Sequence, residues 1–417
     1  MTAPLAKPGR KNPQLRSRVA TMPPRSRSRA ALAWSARAAR GEFQLQVCAD
    51  CGAVAYPPRD ACASCWSVDL RWQPAQPTGE LLALSVLDSS TNVYFRQRMP
   101  WRVGTVRLAD GISVLAHVHG DVAEGDTVRM IARTDKAGQG VLMALPEEET
   151  PHMDDDPQLR ELTCSPRHRR VLLTDIRSPV AQALVPMLRE SGAAIIFAGL
   201  AEPWKQNDAV AEVAADECVQ LAELNVTDTG SVRECAASIG HKVDILINTA
   251  SHVRPGGALD QPLVEARREM ETNYFGLLRL LQYFAPVMRS RGADGTNSAA
   301  CWTNLLSVYA RSNWPAYATT SASQAAALSL AQAARAEFVG TGVKVMNVFH
   351  GPLEDSWYEP VSPPLVTPAK LASVTVKGLC EGLEEAVAGD IATDVVNRWR
   401  EDPGVLEFEL QHEREVD

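Results

Sequence analysis

The stretch CADCGAVAYPPRDACASC, residues 48–65, carries four cysteines as two C-x-x-C pairs with ten residues between them. Each pair can present both sulfurs to the same ion, and two such pairs close a tetrahedron around one soft cation. Gly52 allows the backbone to turn sharply after the first pair, while Pro57 and Pro58 stiffen the return. Four soft ligands leave no coordination position open. Cys48, Cys51, Cys62 and Cys65 therefore point to a structural zinc and not to a hydrolytic centre. A redox pair or a metal-free relic are the competing readings of the same residues. The other five cysteines (Cys164, Cys218, Cys235, Cys301, Cys380) lack disulfide-like spacing and read as small core residues.

A second group lies in VLLTDIRSPVAQAL, residues 171–184, where an apolar strand enters a turn and an Ala-rich helix leaves it. A dinucleotide-binding turn needs glycines there, so that the backbone can approach a diphosphate without a Cβ in the way. This chain offers Thr174, Asp175, Pro179 and Ala181 instead. Two unit charges ~4 Å apart at an effective dielectric near 20 repel by ~4 kcal/mol, so a free Asp175 carboxylate opposes the phosphates. Pro179 removes a backbone N–H from the helix end that attracts anions. Ser178-Pro179 still makes a good helix start. After the next strand, FAGLAEP (residues 197–203) promises neither an acid for an NAD ribose nor an Arg for an NADP phosphate.

These groups must be held by more than one unit. A length of 417 residues with 45% hydrophobic content suggests two or three domains. The first 41 residues hold ten Lys/Arg and no acid, leaving 32 Lys/Arg against 50 Asp/Glu in the remainder. No apolar run approaches the ~18 residues of a membrane helix, and no secretory core is visible at the N-terminus. A cytoplasmic location is expected, with an Arg- and Ser-rich transit peptide as the alternative. The organisation reads as a disordered basic tail (1–27), a helix and Cys-rich ribbon (28–75), a β-barrel (76–145), an acidic linker (146–166) and an α/β domain (167–417). Tail and linker are expected to be solvated, or else the tail docks on an acidic surface of the chain or of a partner.

After the cysteines, GELLALSVLD, WRVGTVRLAD, ISVLAHVHG and DTVRMIAR alternate in hydropathy and end at Gly, Asp or Pro, which suggests a small antiparallel barrel. From Arg169 onward, apolar strands alternate with helices, which argues for a doubly wound, Rossmann-like parallel sheet. The fold class is thus multidomain: a rubredoxin-like ribbon, an OB-type barrel and an α/β domain.

The helix, C-x-x-C-G…P-P-R…C-x-x-C, GELLALSV, MPWRVGTVRLADG and VAEGDTVRM together resemble the zinc-ribbon/OB-fold family encoded beside thiolase-like enzymes. The resemblance implies docking on a thiolase-like or aldolase enzyme of acyl-CoA breakdown, with a CoA thioester at the barrel or at the partner interface. Tyr94, Phe95 and Trp101, interleaved with Arg96, Arg98 and Arg102, could meet CoA phosphates. The same residues would suit a single nucleic-acid strand, although the acidic body of the protein argues against nucleic acid.

Residues 169–410 resemble the short-chain dehydrogenase/reductase family. DILINTAS matches its D-I-L-V-N-N-A-G, NYFG its N-x-x-G, NLLS its N-x-S-S, and SASQAAALSLAQAARAEF the helix that should begin Y-S-A-S-K. The resemblance implies proton transfer by a Tyr whose phenol is acidified by a Lys, with a Ser holding the substrate and an Asn continuing the relay. Ser307 and Asn273 survive, as does Asn248 near the cofactor. The Tyr position, thirteen residues after Ser307, is Thr320, and the Lys position four further on is Gln324. Tyr317 and Tyr309 are the candidate substitutes, and neither has a Lys four residues later.

The leading expectation is an auxiliary subunit that does not reduce substrates. It would bind zinc but no NAD(P), dock on a thiolase-like or aldolase enzyme, and dimerise, or pair with an active reductase, through the reductase-like helices. The alternatives are an NAD(P)-dependent 3-hydroxyacyl-CoA dehydrogenase with a rewired site and a single-strand nucleic-acid binder.

Overall fold

The computed structural model describes residues 1–9, 21–25, 28–205, 208–292, 298–355 and 364–412. Helix α1 (Arg29–Ala38) starts where Ser28 Oγ accepts the Ala31 N–H, and it buries Trp34 and Ala38. Strands β1 (Gln44–Cys48), β2 (Val54–Ala55) and β3 (Leu70–Pro74) form an antiparallel ribbon in the order β2-β1-β3. A closed barrel follows in the order β4-β5-β6-β8-β7. Its strands are β4 (Thr78–Leu87), β5 (Trp101–Leu108), β6 (Ser113–Val118), β7 (Thr127–Thr134) and β8 (Gly140–Pro146), with the short helix α2 (Val93–Arg96) between the first two. Alternation sets the barrel core: Val114, Ala116 and Val118 of β6 point inward onto Leu81, Val106 and Met130, and Trp34 of α1 packs into the same cluster.

The acidic stretch is not a loose linker. Helix α3 (Pro157–Leu162) is capped by Asp156, whose Oδ1 accepts the Gln158 and Leu159 N–H groups at 2.9 Å while Oδ2 accepts from Gly120. Glu161 faces the barrel and takes Lys136 at 2.8 Å, Arg98 at 3.1 Å and the Tyr94 hydroxyl at 2.8 Å. Asp155, Asp156 and Glu161 meet cations and N–H groups that lie far away in sequence, which composition cannot show, while Glu147, Glu148, Glu149 and Asp154 are exposed as a solvated linker would have them. The tail expectation changes in part as well. Leu5 donates its N–H to Asp155, and its carbonyl accepts from His168 Nε2, both at 3.1 Å. Residues 10–20 and 26–27 of the expected tail lie outside the described residues.

Glu161 gives a pH prediction. Burial alone would raise its carboxyl, but Lys136 and Arg98 hold it down at about 2. Since an unpaired Glu titrates near 4.3, the stabilisation is complete above about pH 5 and is lost as pH falls toward 2. Glu161→Gln is expected to cost on the order of 3 kcal/mol at neutral pH and to flatten the acid limb of a stability profile followed by urea denaturation.

The third domain is a seven-stranded parallel sheet in the order β11-β10-β9-β12-β13-β14-β15. Its strands are β9 (Arg170–Leu173), β10 (Ile195–Leu200), β11 (Val219–Glu223), β12 (Ile245–Asn248), β13 (Cys301–Ser307), β14 (Lys344–His350) and β15 (Glu385–Ala388). Helices α4 (Pro179–Glu190), α5 (Asp208–Ala214) and α6 (Thr229–Ile239) follow the first three strands. Helix α7 (Leu263–Glu269) runs through a π turn (Met270–Gly276) into α8 (Leu277–Arg291). The chain closes with α9 (Ala318–Phe338), α10 (Pro368–Glu381), α11 (Asp390–Glu401) and α12 (Pro403–His412). Every residue of β12 and β14 is buried, as a sheet covered on both faces requires. Among the described residues no helix is long and apolar enough to cross a membrane.

The N-terminal module is fastened to this sheet. Thr134 Oγ1 donates to Glu384 at 2.7 Å, Arg133 Nε to the Glu381 carbonyl at 2.6 Å, and the Glu384 N–H to the Ala39 carbonyl at 2.8 Å. The buried Lys344 ammonium donates to three carbonyls, those of Thr134, Leu162 and Gly382, each at 2.8 Å.

Candidate functional site

Two tight turns bring the four ribbon cysteines together, with all four sulfurs within 4.8 Å of one another. The pairs Cys48–Cys65 and Cys51–Cys62 stand 3.5 and 3.6 Å apart. Tetrahedral ligands with Zn–S bonds near 2.3 Å lie about 3.8 Å apart, so the residues fit the ion. The N–H groups of Cys65 and Ser64 hold the Cys62 thiol down at about 6. Cys65 accepts from Ser67, but the Cys51 and Cys48 sulfurs push it up to about 12. Four thiolates this close call for a cation among them.

At the first turn of the parallel sheet, Asp175 does not stand free. Arg177 holds its carboxylate with both Nε and Nη2 at 3.1 Å, and the Arg177 N–H donates to Oδ1. Arg177 also reaches Glu202 at 3.3 Å. Two expectations change. The Asp175 charge is largely neutralised by its neighbour, and an acid does follow β10, drawn over to Arg177. Thr174 Oγ1 donates to Asn248 at 2.8 Å and accepts the N–H groups of Thr249 and Ala250, which knits the turn to the end of β12. Pro179 is the first residue of α4 and Ala181 is fully buried in the core beneath it. Gly199 is needed here, because a Cβ would fall 2.5 Å from the Thr174 carbonyl oxygen.

A cleft of about 440 Å³ remains beside this turn, lined by Asp175, Ser178, Asn248, Thr249, Val253 and His350 among others. His350 ends β14, donates Nδ1–H to the Gly351 carbonyl at 2.7 Å, and is pushed down by burial to about 4, so its imidazole is neutral.

Deeper in the domain, the Tyr and Lys positions carry other duties. Thr320 donates its hydroxyl to the buried carboxylate of Glu269, which also accepts the Arg254 N–H at 3.0 Å. The second oxygen of Glu269, Oε2, has no hydrogen-bond partner among the described residues. Gln324 Oε1 accepts the Ser307 N–H at 3.3 Å, and Ser307 Oγ accepts from Tyr309. Asn273, set on the π turn, donates to the His252 carbonyl and to Ser323, and accepts the His252 N–H. Apart from Glu269 Oε2, these side chains are tied to one another and to the neighbouring backbone. Tyr317 and Tyr309 sandwich Trp314, with ring centroids 4.6 Å apart on each side. Burial pushes the Tyr317 phenol up to about 12, away from the acidity that proton transfer requires.

The aromatic and basic residues of the barrel are likewise spent. Tyr94 and Trp101 are buried, Trp101 donating to His117 Nδ1 at 3.0 Å. Arg98 is tied to Glu161 and Arg102 to the Val122 carbonyl, leaving Arg96 as the exposed cation of the three. Tyr94 and Trp101 thus offer no stacking platform for a nucleic-acid strand, and Arg98 and Arg102 are not free to hold a CoA phosphate. Their residue types suggested both roles, and the packing of α2 and α3 withdraws these four residues from them, while Arg96 stays exposed and Phe95 half-buried.

Family models match the chain in three consecutive pieces. The ChsH2 rubredoxin-like zinc ribbon domain covers residues 35–71, the ChsH2 C-terminal OB-fold domain 72–133, and the enoyl-(acyl carrier protein) reductase model 176–364. This chain is a ChsH2-type zinc ribbon and OB-fold joined to a short-chain dehydrogenase/reductase-family domain. The short-chain dehydrogenase cctT of Talaromyces islandicus is 28% identical over 34% of this chain and 49% of its own length. The probable short-chain type dehydrogenase/reductase VdlC of Helicobacter pylori is 26% identical over 34% of this chain and 50% of its own. The chain thus spans about half the length of these curated relatives. A Burkholderia cenocepacia short-chain dehydrogenase, solved in complex with NADP, superposes with a TM-score of 0.52 at 28% identity, over 58% of this chain and 97% of that one.

Three residues of the reductase-family domain escaped sequence reasoning. Glu269 stands four positions before Asn273 and was detectable only as an acid inside a helix that must pack inward. Arg177 carried a local signal, its spacing of two from Asp175. His350 carried none.

Proposed function

We propose that the chain is a non-reducing auxiliary subunit of a cytoplasmic acyl-CoA-processing complex. Its ribbon and barrel dock on a thiolase-like or aldolase enzyme. Its reductase-family domain serves as an assembly surface, dimerising or pairing with an active reductase. One observation carries the reading: Thr320 is committed to Glu269 and Gln324 to the Ser307 backbone, so the positions that would move a proton hold the scaffold closed instead. The cofactor turn supports it, since an Asp175–Arg177–Glu202 chain and Pro179 occupy the place where a diphosphate would meet backbone N–H groups. For assembly, Leu263 and Val264 of α7 and Phe275 of the π turn are exposed, and α9 exposes Ala322, Ala325 and Ala333.

Titration of the purified chain with NADH and NADPH, followed by nucleotide fluorescence, is expected to show no saturable binding, and 3-hydroxyacyl-CoA oxidation is expected to be absent. Micromolar binding with turnover sinks the reading. It would establish the alternative of a rewired dehydrogenase, which the retained cleft and the NADP-bound Burkholderia relative favour.

A further inference from the structure

The barrel closes over only part of its first strand. β4 pairs with β7 through Thr78, Gly79 and Glu80, whereas its pairing with β5 continues as far as Leu87↔Trp101. A register shift between Leu81 and Ala83 turns the strand away from β7. The 121–126 turn still covers Leu81, which exchanges hydrogen bonds with Asp126 and Gly125. Beyond it, the Leu84 N–H points away from β5 and, among the described residues, meets only the Glu124 carboxylate, at 3.4 Å. Backbone direction alternates along a strand, so Val86 also presents its N–H and carbonyl to the open side. No strand among the described residues pairs with that side of Ala83–Leu87.

The adjoining face is uncharged. Register aligns Ala83 with Thr105 and Leu115, and Ser85 with Val103 and His117. These rows face outward, because the alternate residues of β6 fill the core. On this side Leu115 is 62% exposed and Leu87 41%; Val86, 49% exposed, points to the other face of the strand, opposite Arg102. A long, apolar, uncovered edge is what soluble proteins ordinarily avoid, by charge, proline or a covering helix.

We infer that Ala83–Leu87 is the docking edge for the partner enzyme: an extended, uncharged segment of that enzyme adds to β4 as an antiparallel strand, with its body covering the Leu115 face. Only another extended backbone satisfies alternating N–H and carbonyl groups along one edge. The Glu124 carboxylate stands in for the partner's carbonyl at Leu84. Two copies of this chain joined by the strand alone would bury far less than the roughly 1,200 Å² of a stable interface, so a larger partner that also covers the face fits better.

The inference rests on the docking reading above, and one experiment separates the two. The full-length chain is assayed by calorimetry against the purified thiolase-like or aldolase enzyme that co-purifies with it. Val86→Pro, which removes an outward N–H, and Leu115→Glu, on an exposed position that cannot unfold the barrel, are each expected to weaken binding about tenfold or more. Val86→Thr is expected to bind as the native chain does, and the Val86 amide to become protected from hydrogen exchange in the complex. If the native chain binds but Val86→Pro and Leu115→Glu bind equally well, the edge is not the dock, and the docking reading survives. If these variants alter self-association with unchanged partner affinity, a second copy is the occupant and the inference fails. If no such enzyme co-purifies or binds, the docking reading falls and takes the edge with it.

Discussion

Stripping zinc with a strong chelator, or replacing Cys51 or Cys65 with serine, is expected to unfold residues 44–74 while the parallel sheet stays intact. The ribbon has little else to hold it. One of its edge strands, β2, is two residues long, and Val54, Tyr56 and Trp72 are only partly buried, borrowing the edge of the barrel core. A unit of this size cannot bury enough apolar surface to offset its own chain entropy, so metal coordination is its folding energy. In hydrogen exchange, amides in the β1–β3 ladder, Gln44↔Pro74 to Cys48↔Leu70, should lose protection on metal removal. Those of β12, buried at the centre of the sheet, should keep theirs. Elemental analysis should find a single zinc per native chain and none after chelation. A ribbon that keeps its protection with the metal gone would show that packing on the barrel suffices. The consequence reaches function: Tyr56, on the loop after β2, donates its hydroxyl to the Leu115 carbonyl at 3.1 Å. A melted ribbon would therefore loosen the proposed docking face and weaken partner binding.

The four cysteines were readable because their chemistry is local, two turns of fixed length with the return between them. The barrel and the parallel sheet were readable because hydropathy alternates with period two in one and runs unbroken in the other. The losses at Thr320 and Gln324 were readable as losses, since spacing from Ser307 alone locates them. What replaced them was not. Glu269 and Thr320 are 51 positions apart, and only the packing of α7 on α9 brings the carboxylate to the hydroxyl. The acidic segment misled for the same reason. By composition it is a solvated tether, yet Glu161 finds Tyr94 across 67 positions, and Asp156 finds Gly120 across 36. Charge density announces solvent exposure only when no distant partner is waiting, and composition does not know the partners.

Lys344→Met is expected to destabilise the protein by on the order of 4 kcal/mol and to split its unfolding into two transitions. Lys344 opens β14 and is buried, and its ammonium has three donors, all of them used. The carbonyls it serves come from three separate elements: Thr134 at the end of β7, Leu162 at the end of α3, and Gly382, the left-handed cap of α10. Methionine fills similar space but leaves three buried carbonyls without a donor, each costing about 1–3 kcal/mol. There is no slack for the chain to close the gap, since a Cβ on Gly382 would already stand 2.1 Å from the Leu162 oxygen. Other ties also cross the junction: Arg133 to Glu381, Thr134 to Glu384 and the Glu384 N–H to the Ala39 carbonyl. Without the central ammonium, the barrel and the sheet should melt separately in urea, with tryptophan fluorescence and far-UV dichroism no longer coincident. A single coincident transition at the native midpoint would show that these other contacts carry the junction. The distinction matters for the proposed auxiliary role. A barrel that docks one enzyme and a reductase-family domain that recruits another can set the distance between two active sites only if the joint between them is stiff.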